Sequence, residues 1–134
     1  MTLDISVLLR NAMLQVLADS IDAGAPVPGR FLIYDGARPE PGAPVTGQVL
    51  LAECPCSLPC GSVANGALTF AQIAEEDLAP ASGTAAWGRL VDGAGNWIAD
   101  WDVGDLESEA FLKLNNTQVY QGGIVRITSG SLTI

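Results

Sequence analysis

Residues 84–103 decide the fold, and they read TAAWGRLV, DGAG and NWIADWDV in succession. Asp and Gly supply the positive φ angles that a tight turn needs, so segments 84–91 and 96–103 are predicted to pair as a hairpin. On the second strand, odd-numbered residues share one face and even-numbered residues the other. The odd face, with Trp97 and Trp101, is predicted to lie on a core, and the even face in solvent.

The tryptophans of this hairpin, Trp87, Trp97 and Trp101, all have odd numbers. Each strand therefore directs its tryptophans to one face. Sugar binding is one interpretation of such a set, but a shared aromatic core is the favoured one.

Further strand patterns lie on both sides of the hairpin. Predicted strands cover 30–35, 48–53, 110–114, 118–121 and 124–128, and the loop over 36–44 is predicted to be exposed because it is rich in proline and glycine. The apolar positions change parity between Ile127 and Leu132. A bulge at Ser129-Gly130-Ser131 is predicted to absorb the extra residue.

The N-terminal segment follows a helical period instead. Its apolar residues are spaced by three and four, which predicts an amphipathic helix over 3–23, capped by Thr2 or Asp4 and ended by Gly24 in the left-handed conformation. They are Ile5, Leu8, Leu9, Ala12, Met13, Val16, Leu17 and Ile21.

One helix followed by about seven short strands predicts a mainly β protein. The expected fold is an antiparallel β-sandwich, jelly-roll or immunoglobulin-like, with an N-terminal α-helix. The chain has 134 residues, of which 49% are hydrophobic, which suits a single domain over 1–134. Within it, residues 3–23 form the helix and residues 30–134 the sandwich.

The net charge of the chain limits the classes of partner that it is expected to bind. Fifteen acidic against six basic residues give a net charge of −9, which repels nucleic acid and anionic lipid. No segment resembles a signal peptide or a membrane span, so we expect synthesis in a cytoplasm. Neither nucleic acid nor membrane is an expected partner.

No set of residues indicates catalysis. The sequence has no histidine, so the commonest general base is missing, and neither a nucleophile motif nor a phosphate-binding loop is present. We predict no enzyme activity, no catalytic residues and no cofactor.

Metal binding is also not predicted. Cys54, Cys56 and Cys60 lack the fourth ligand of a structural zinc site, so a proline-constrained loop with partly buried thiols is favoured over a metal or a disulfide. The acidic run from Asp100 to Glu109 does not have calcium-loop spacing. It is predicted to be a solvated strand edge.

The chain as a whole resembles a family of small tailed-bacteriophage virion proteins. The similar segments are Leu9-Arg10-Asn11-Ala12, Leu32-Ile33-Tyr34-Asp35-Gly36 with Pro39, Gly47-Gln48-Val49-Leu50-Leu51, Ser82-Gly83-Thr84-Ala85-Ala86-Trp87, Val91-Asp92-Gly93-Ala94-Gly95-Asn96, Leu114-Asn115-Asn116-Thr117 and Ile127-Thr128-Ser129-Gly130. The chain departs from the family at 54–60, where a polar loop is expected.

This resemblance implies a structural component of the virion, made in the bacterial host cytoplasm. A protein that decorates or cements the capsid is the first hypothesis, with a homo-oligomer and the major capsid protein as partners. A tail or baseplate protein and a host-surface, carbohydrate-binding module are the alternatives.

The helix is the expected interface. We expect the sandwich to cover part of its apolar stripe and a neighbouring subunit to cover the rest, so that deletion of residues 1–23 leaves a soluble β domain. The predicted interface residues are Ile5, Leu8, Leu9, Met13, Val16 and Leu17.

Overall fold

A computed structural model describes residues 4–110, 112–129 and 131–133 of the chain. These residues form a strand-rich protein with one helix near the N-terminus, as predicted. The elements are α1 (Val7–Ile21), β1 (Arg30–Tyr34), β2 (Leu50–Pro55), β3 (Gly61–Ala64), β4 (Ala67–Phe70), β5 (Gly83–Thr84), β6 (Trp87–Val91), β7 (Trp97–Gly104), β8 (Leu112–Leu114), β9 (Gln118–Val119), β10 (Ile127–Ser129) and β11 (Ser131–Thr133).

Helix α1 starts later than the predicted residue 3. Ser6 caps it, with its Oγ accepting a hydrogen bond from the Leu9 amide at 3.2 Å. Asp4 lies before the helix, and Thr2 lies outside the described residues. The helix ends at Ile21 with Asp22 as its C-cap, rather than at a left-handed Gly24. Gly24 instead allows close approach, because a Cβ there would lie 2.6 Å from the Cα of Gly93.

The largest sheet has six strands in the order β10-β8-β7-β6-β1-β2. Its pairs are antiparallel except β7 with β8, where Val103 opposes Leu112 in parallel register. The expectation of a wholly antiparallel fold is wrong at this pair. A parallel pair needs a connection that carries the chain back to the end of the sheet at which the first strand began. The connection between β7 and β8 is short, so only the last residues of β7 pair with the first residues of β8.

The predicted β6–β7 hairpin is confirmed. The Asp92 carboxylate accepts hydrogen bonds from the Ala94 and Asn96 amides, each at 2.9 Å, and Gly95 has φ +91°. Hydrogen bonds from Asn96 hold the pKa of Asp92 below its usual range.

A second hairpin, β3–β4, is missing from the prediction. It belongs to a three-stranded sheet in the order β11-β4-β3, and its turn residues Asn65 and Gly66 have φ values of +53° and +75°. This is the Asn-Gly pair that tight hairpin turns favour.

The predicted bulge at 129–131 is confirmed only in part. A register shift on β10 lies between Ile127 and Ser129, slightly earlier than predicted, and β10 and β11 then belong to different sheets. Gly130 itself lies outside the described residues. A third, small sheet pairs β5 with β9.

The core lies between the six-stranded sheet, the three-stranded sheet and the helix. Phe31 on β1 meets Phe70 on β4 edge to face, with ring centroids 5.4 Å apart. From the helix, Leu14, Ala18 and Ile21 join the same buried cluster.

The prediction that the three tryptophans share one core is wrong. Trp87 opposes Asp102 and Gly88 opposes Trp101, so Trp87 and Trp101 lie on opposite faces of the hairpin. A register shift beyond Leu90 then places Trp97 opposite Val91, on the face of Trp87. Trp101 contacts Phe31, whereas Trp97 is 45% exposed.

Candidate functional site

The predicted interface residues divide into two groups in the structure. Leu8, Leu9, Met13 and Val16 are 83%, 52%, 42% and 66% exposed. Ile5 and Leu17 are half-buried, and Leu17 packs against the core. Ala12, which lies between the exposed four along the helix, is also exposed. We call Leu8, Leu9, Ala12, Met13 and Val16 the outer helix face.

The helix buries the side opposite Leu9 and Val16, so that of the predicted stripe only Ile21 is fully buried, and Leu17 partly so. Leu14 and Ile21 are completely buried and Ala18 is 3% exposed. These positions lie about half a turn around the helix from Leu9 and Val16, at about 100° per residue. The helix is therefore part of the core, and the expectation that residues 1–23 can be deleted without damage does not fit this packing.

Polar contacts fix which side of the helix faces inward. The Gly66 amide donates to Asn11 Oδ1 at 2.8 Å, which attaches the middle of the helix to the β3–β4 turn. At the other end, the Cys60 amide donates to both carboxylate oxygens of Asp22 at 3.2 Å. These two attachments hold the outer helix face toward solvent.

The five residues of the outer helix face are themselves uncharged, but Asp19, three residues after Val16, lies on the same side of the helix at about 100° per residue. The Oδ1 of Asp19 accepts a hydrogen bond from Gln15 Nε2 at 3.0 Å. Arg10 lies on the inner side, 3.4 Å from where a Cβ of Gly66 would be. Ten of the fifteen helix residues are apolar, so the helix is apolar on two sides.

The three cysteines lie in the hydrophobic core. Cys54 lies on β2, and all three thiols are free and buried within the core cluster, more deeply than the predicted loop would place them. Burial raises the pKa of each to about 12, so the thiols are protonated at neutral pH. Over the described ranges, no three cysteine, aspartate or glutamate side chains are grouped to hold a metal ion.

The acidic run is only partly the solvated edge that was predicted. Asp102 is exposed and pairs with Arg38 at 3.4 Å. The Asp100 side chain, however, is only 6% exposed and accepts a hydrogen bond from Arg89 Nε at 2.8 Å. It also accepts from the Gly42 amide and the Trp97 indole. Burial opposes its ionisation, but these hydrogen bonds outweigh it and hold the pKa of Asp100 below its usual range.

A second exposed apolar group was not predicted from the sequence. Leu78, Tyr120 and Ile124 are 71%, 67% and 54% exposed, and we call them the loop patch. Hydrogen bonds between Ala79 and the segment 122–123 join the two loops that carry them. Isolated apolar residues in irregular segments have no periodicity, so the sequence offers no signal for this patch.

A groove of about 730 Å³ lies between segments 70–77 and 126–128. Its lining includes Phe70, Ile73 and Ile127, together with the ion pair of Arg126 and Glu75 at 2.9 Å. Because Arg126 and Glu75 are paired with each other, they do not suggest a catalytic pair.

Among the described residues, no helix is long and apolar enough to cross a membrane. Comparisons with protein-family models, with curated proteins and with solved structures found no match. The resemblance to phage virion proteins stays a prediction.

Proposed function

We propose that this chain is a non-enzymatic structural component of a tailed-phage virion, with capsid decoration as its role. The outer helix face carries the proposal, as the surface that packs on a neighbouring virion subunit. The sequence resemblance supplies the type of particle, and the exposure of this face supplies the mode of attachment.

The energetic support is the amount of apolar surface left in water. Burying a large apolar side chain stabilises a complex by about 1.5–3 kcal/mol. Leu8 and Val16 are 83% and 66% exposed, so most of this free energy is still available from them. Single exposed leucines are ordinary, but a contiguous apolar patch on a rigid element is characteristic of an interface.

The chemistry of the described residues agrees with a non-enzymatic role. The thiols are buried and protonated, and Asp100 is occupied in holding Arg89, Gly42 and Trp97. These groups are engaged in structural contacts, which supports the proposed non-enzymatic role.

Two separate apolar surfaces suit a decorating subunit. The outer helix face and the loop patch lie on different elements, so one copy can contact more than one neighbour. On a particle with repeated sites, weak contacts become strong when each subunit makes several of them. This argument favours decoration of the head over a role as a single tail component.

We also propose that the two larger sheets form a β-sandwich of jelly-roll or immunoglobulin-like type. The contact of Phe31 with Phe70 between the sheets supports face-to-face packing. The short parallel β7–β8 pair is a local departure from such a fold.

The test is attachment to capsids of the phage that encodes the chain, stripped of this protein. The variant Leu8→Asp/Leu9→Asp is expected to lose particle occupancy at least tenfold, because it places two carboxylates in the contact. Val27→Asp is the matched control, since Val27 is 51% exposed but lies in the connector after the helix. Full occupancy by the double variant, or binding to tails rather than heads, would contradict the proposal.

A further inference from the structure

We propose that Asn65 is a site of spontaneous deamidation, and that Asn11 slows the reaction by holding the backbone amide that attacks Asn65. The reaction needs only water, so it goes beyond the proposed function and does not depend on it.

The reaction involves the asparagine side chain and the backbone of the next residue. The backbone nitrogen of that residue attacks the side-chain carbonyl carbon of asparagine, and the new C–N bond closes a succinimide ring. The bond to the side-chain nitrogen breaks, and this nitrogen takes up the proton of the attacking amide and leaves as ammonia. Water then opens the ring at either of its two carbonyl carbons, which leaves aspartate or isoaspartate.

The residue that follows the asparagine decides how easily the attack occurs. Glycine obstructs it least, because no Cβ stands beside the attacking nitrogen. Of the five asparagines in the chain, only Asn65 precedes a glycine. The other four precede Ala12, Trp97, Asn116 and Thr117. The sequence therefore favours position 65 over every other asparagine.

Asn65 lies where water reaches it. The residue is exposed, and it is the first of the two residues in the turn between β3 and β4, with φ +53°. A positive φ is uncommon for a residue that carries a side chain, so contacts around the turn must maintain this conformation. The reacting side chain is thus in solvent while the backbone beside it is held.

The attacking nitrogen is restrained by the helix. The Gly66 amide donates to Asn11 Oδ1 at 2.8 Å, and Gly66 is buried although Asn65 is exposed. Ala64 and Ala67 pair with each other at the base of the turn. Attack requires the Gly66 nitrogen to lose its proton and to turn toward Asn65 Cγ, and both the hydrogen bond and the closed hairpin oppose this. The reaction therefore proceeds from a locally opened turn.

Deamidation is expected to loosen the attachment of the helix in return. In isoaspartate the main chain runs through the former side chain, which adds one methylene to the turn. Strands β3 and β4 have only four residues each, and a two-residue turn fixes their register, so the longer turn no longer matches it. The hydrogen bond between Asn11 and Gly66 is then weakened as the protein ages.

Mass spectrometry tests the site. The full chain is incubated in warm, mildly alkaline buffer and then digested. Each deamidation replaces NH by O, and the peptide that contains residue 65 is expected to gain this mass before the peptides that contain the other asparagines. Asn65→Asp has no amide at this position, and it is the control for the assignment.

Hydrogen exchange of the Gly66 amide measures the opening of the turn in the wild type. Exchange and attack require the same opened turn. The protection factor of this amide is therefore expected to agree with the ratio of two deamidation rates at Asn65, the rate in urea divided by the rate in the folded chain.

Variants of Asn11 test its role in positioning the amide. Asn11→Ala is expected to raise the deamidation rate about two- to tenfold, because one hydrogen bond of ordinary net strength is lost. Asn11→Asp retains an acceptor oxygen and is expected to keep the slow rate. Ser6→Ala is the matched control, since it removes a hydrogen bond to the Leu9 amide in the same helix and is expected to leave the rate unchanged. Circular dichroism shows whether each variant is folded.

Modification of Asn115 or Asn116 ahead of Asn65 would overturn the site. Equal deamidation rates in urea and in the folded chain would overturn the protection by Asn11, as would a rate in Asn11→Ala no higher than in Ser6→Ala. If Asn11→Ala does not fold, the wild type alone decides the question, because deamidation faster than the exchange protection of Gly66 allows would contradict attack from an opened turn.

Discussion

Replacement of Arg89 by methionine is expected to destabilise the protein severely. The side chains of Arg89 and Asp100 are only 10% and 6% exposed, and they bond at 2.8 Å. Arg89 Nη2 also donates to the Ala43 carbonyl at 2.8 Å, while Asp100 accepts from the Gly42 amide. The pair therefore attaches the proline-rich loop to the six-stranded sheet.

The magnitude follows from what the substitution leaves behind. Arg89→Met removes the cation and strands a buried carboxylate, a change that typically costs about 3–5 kcal/mol. The whole free energy of unfolding of such a domain is about 5–15 kcal/mol. At about 4 °C per kcal/mol for a chain of this size, Tm is expected to fall by about 12–20 °C. Arg89→Met/Asp100→Leu removes both charges and is expected to lose less than Arg89→Met alone.

Urea unfolding followed by tryptophan fluorescence measures these free energies. Arg126→Met is the control, because Arg126 and Glu75 form an ion pair of similar length, 2.9 Å, with side chains 57% and 37% exposed. That variant is expected to lose less than about 1 kcal/mol. If Arg89→Met costs no more than Arg126→Met, or if the double variant shows the simple sum of two large losses, the pair does not hold the loop as described.

Three further outcomes are expected. Leu14→Ala should cost about 2–5 kcal/mol in urea unfolding, whereas Val16→Ala, at 66% exposure, should cost less than about 0.5 kcal/mol; equal effects would mean that the wrong side of the helix is buried. The three thiols should react with a disulfide reagent at pH 8 only after unfolding, because burial raises the pKa of each to about 12, while Ser62→Cys should add one thiol that reacts at once. Finally, the pKa of Asp100 is lower in the folded chain than in the unfolded chain, so its contribution to stability is complete above about pH 4 and is lost as the pH falls further. In Asp100→Asn this loss of stability at low pH should be smaller. A pH profile of stability equal to that of the wild type would contradict the assignment.

The hairpins show how much of the fold local chemistry reveals. The Asp92 turn was predictable because a strand pattern lies on each side of it, and these strands are β6 with five residues and β7 with eight. The Asn65-Gly66 turn carries an equally strong signal, but β3 and β4 have only four residues each, which is too short for alternation to stand out in the sequence. A turn signal without a strong pattern around it is easily missed, even when both of its residues adopt positive φ.

The tryptophans show what a single strand cannot reveal. Alternation separates the two faces of a strand only where the strand has no bulge, and β7 places Trp97 and Trp101 on opposite faces although both have odd numbers. Which residues of two strands share a face depends on their register, and a register shift like the one beyond Leu90 moves a side chain to the other face. The burial of Asp100 has the same origin, because its partners Arg89 and Gly42 come from a neighbouring strand and a distant loop. Such contacts leave no periodic trace in the sequence.

The helix also shows that periodicity alone does not decide which side faces the core, and here the choice affects the proposed interface. Spacing by three and four identified α1, but ten apolar residues in fifteen allow more than one apolar face, so periodicity could not choose between them. Asn11 and Asp22 make the choice in the folded chain, since their hydrogen bonds to Gly66 and Cys60 turn Leu14 and Ile21 inward. The protein's own core covers the inner side of α1, and the side through Leu9 and Val16 is the one that the proposed function assigns to a neighbouring subunit.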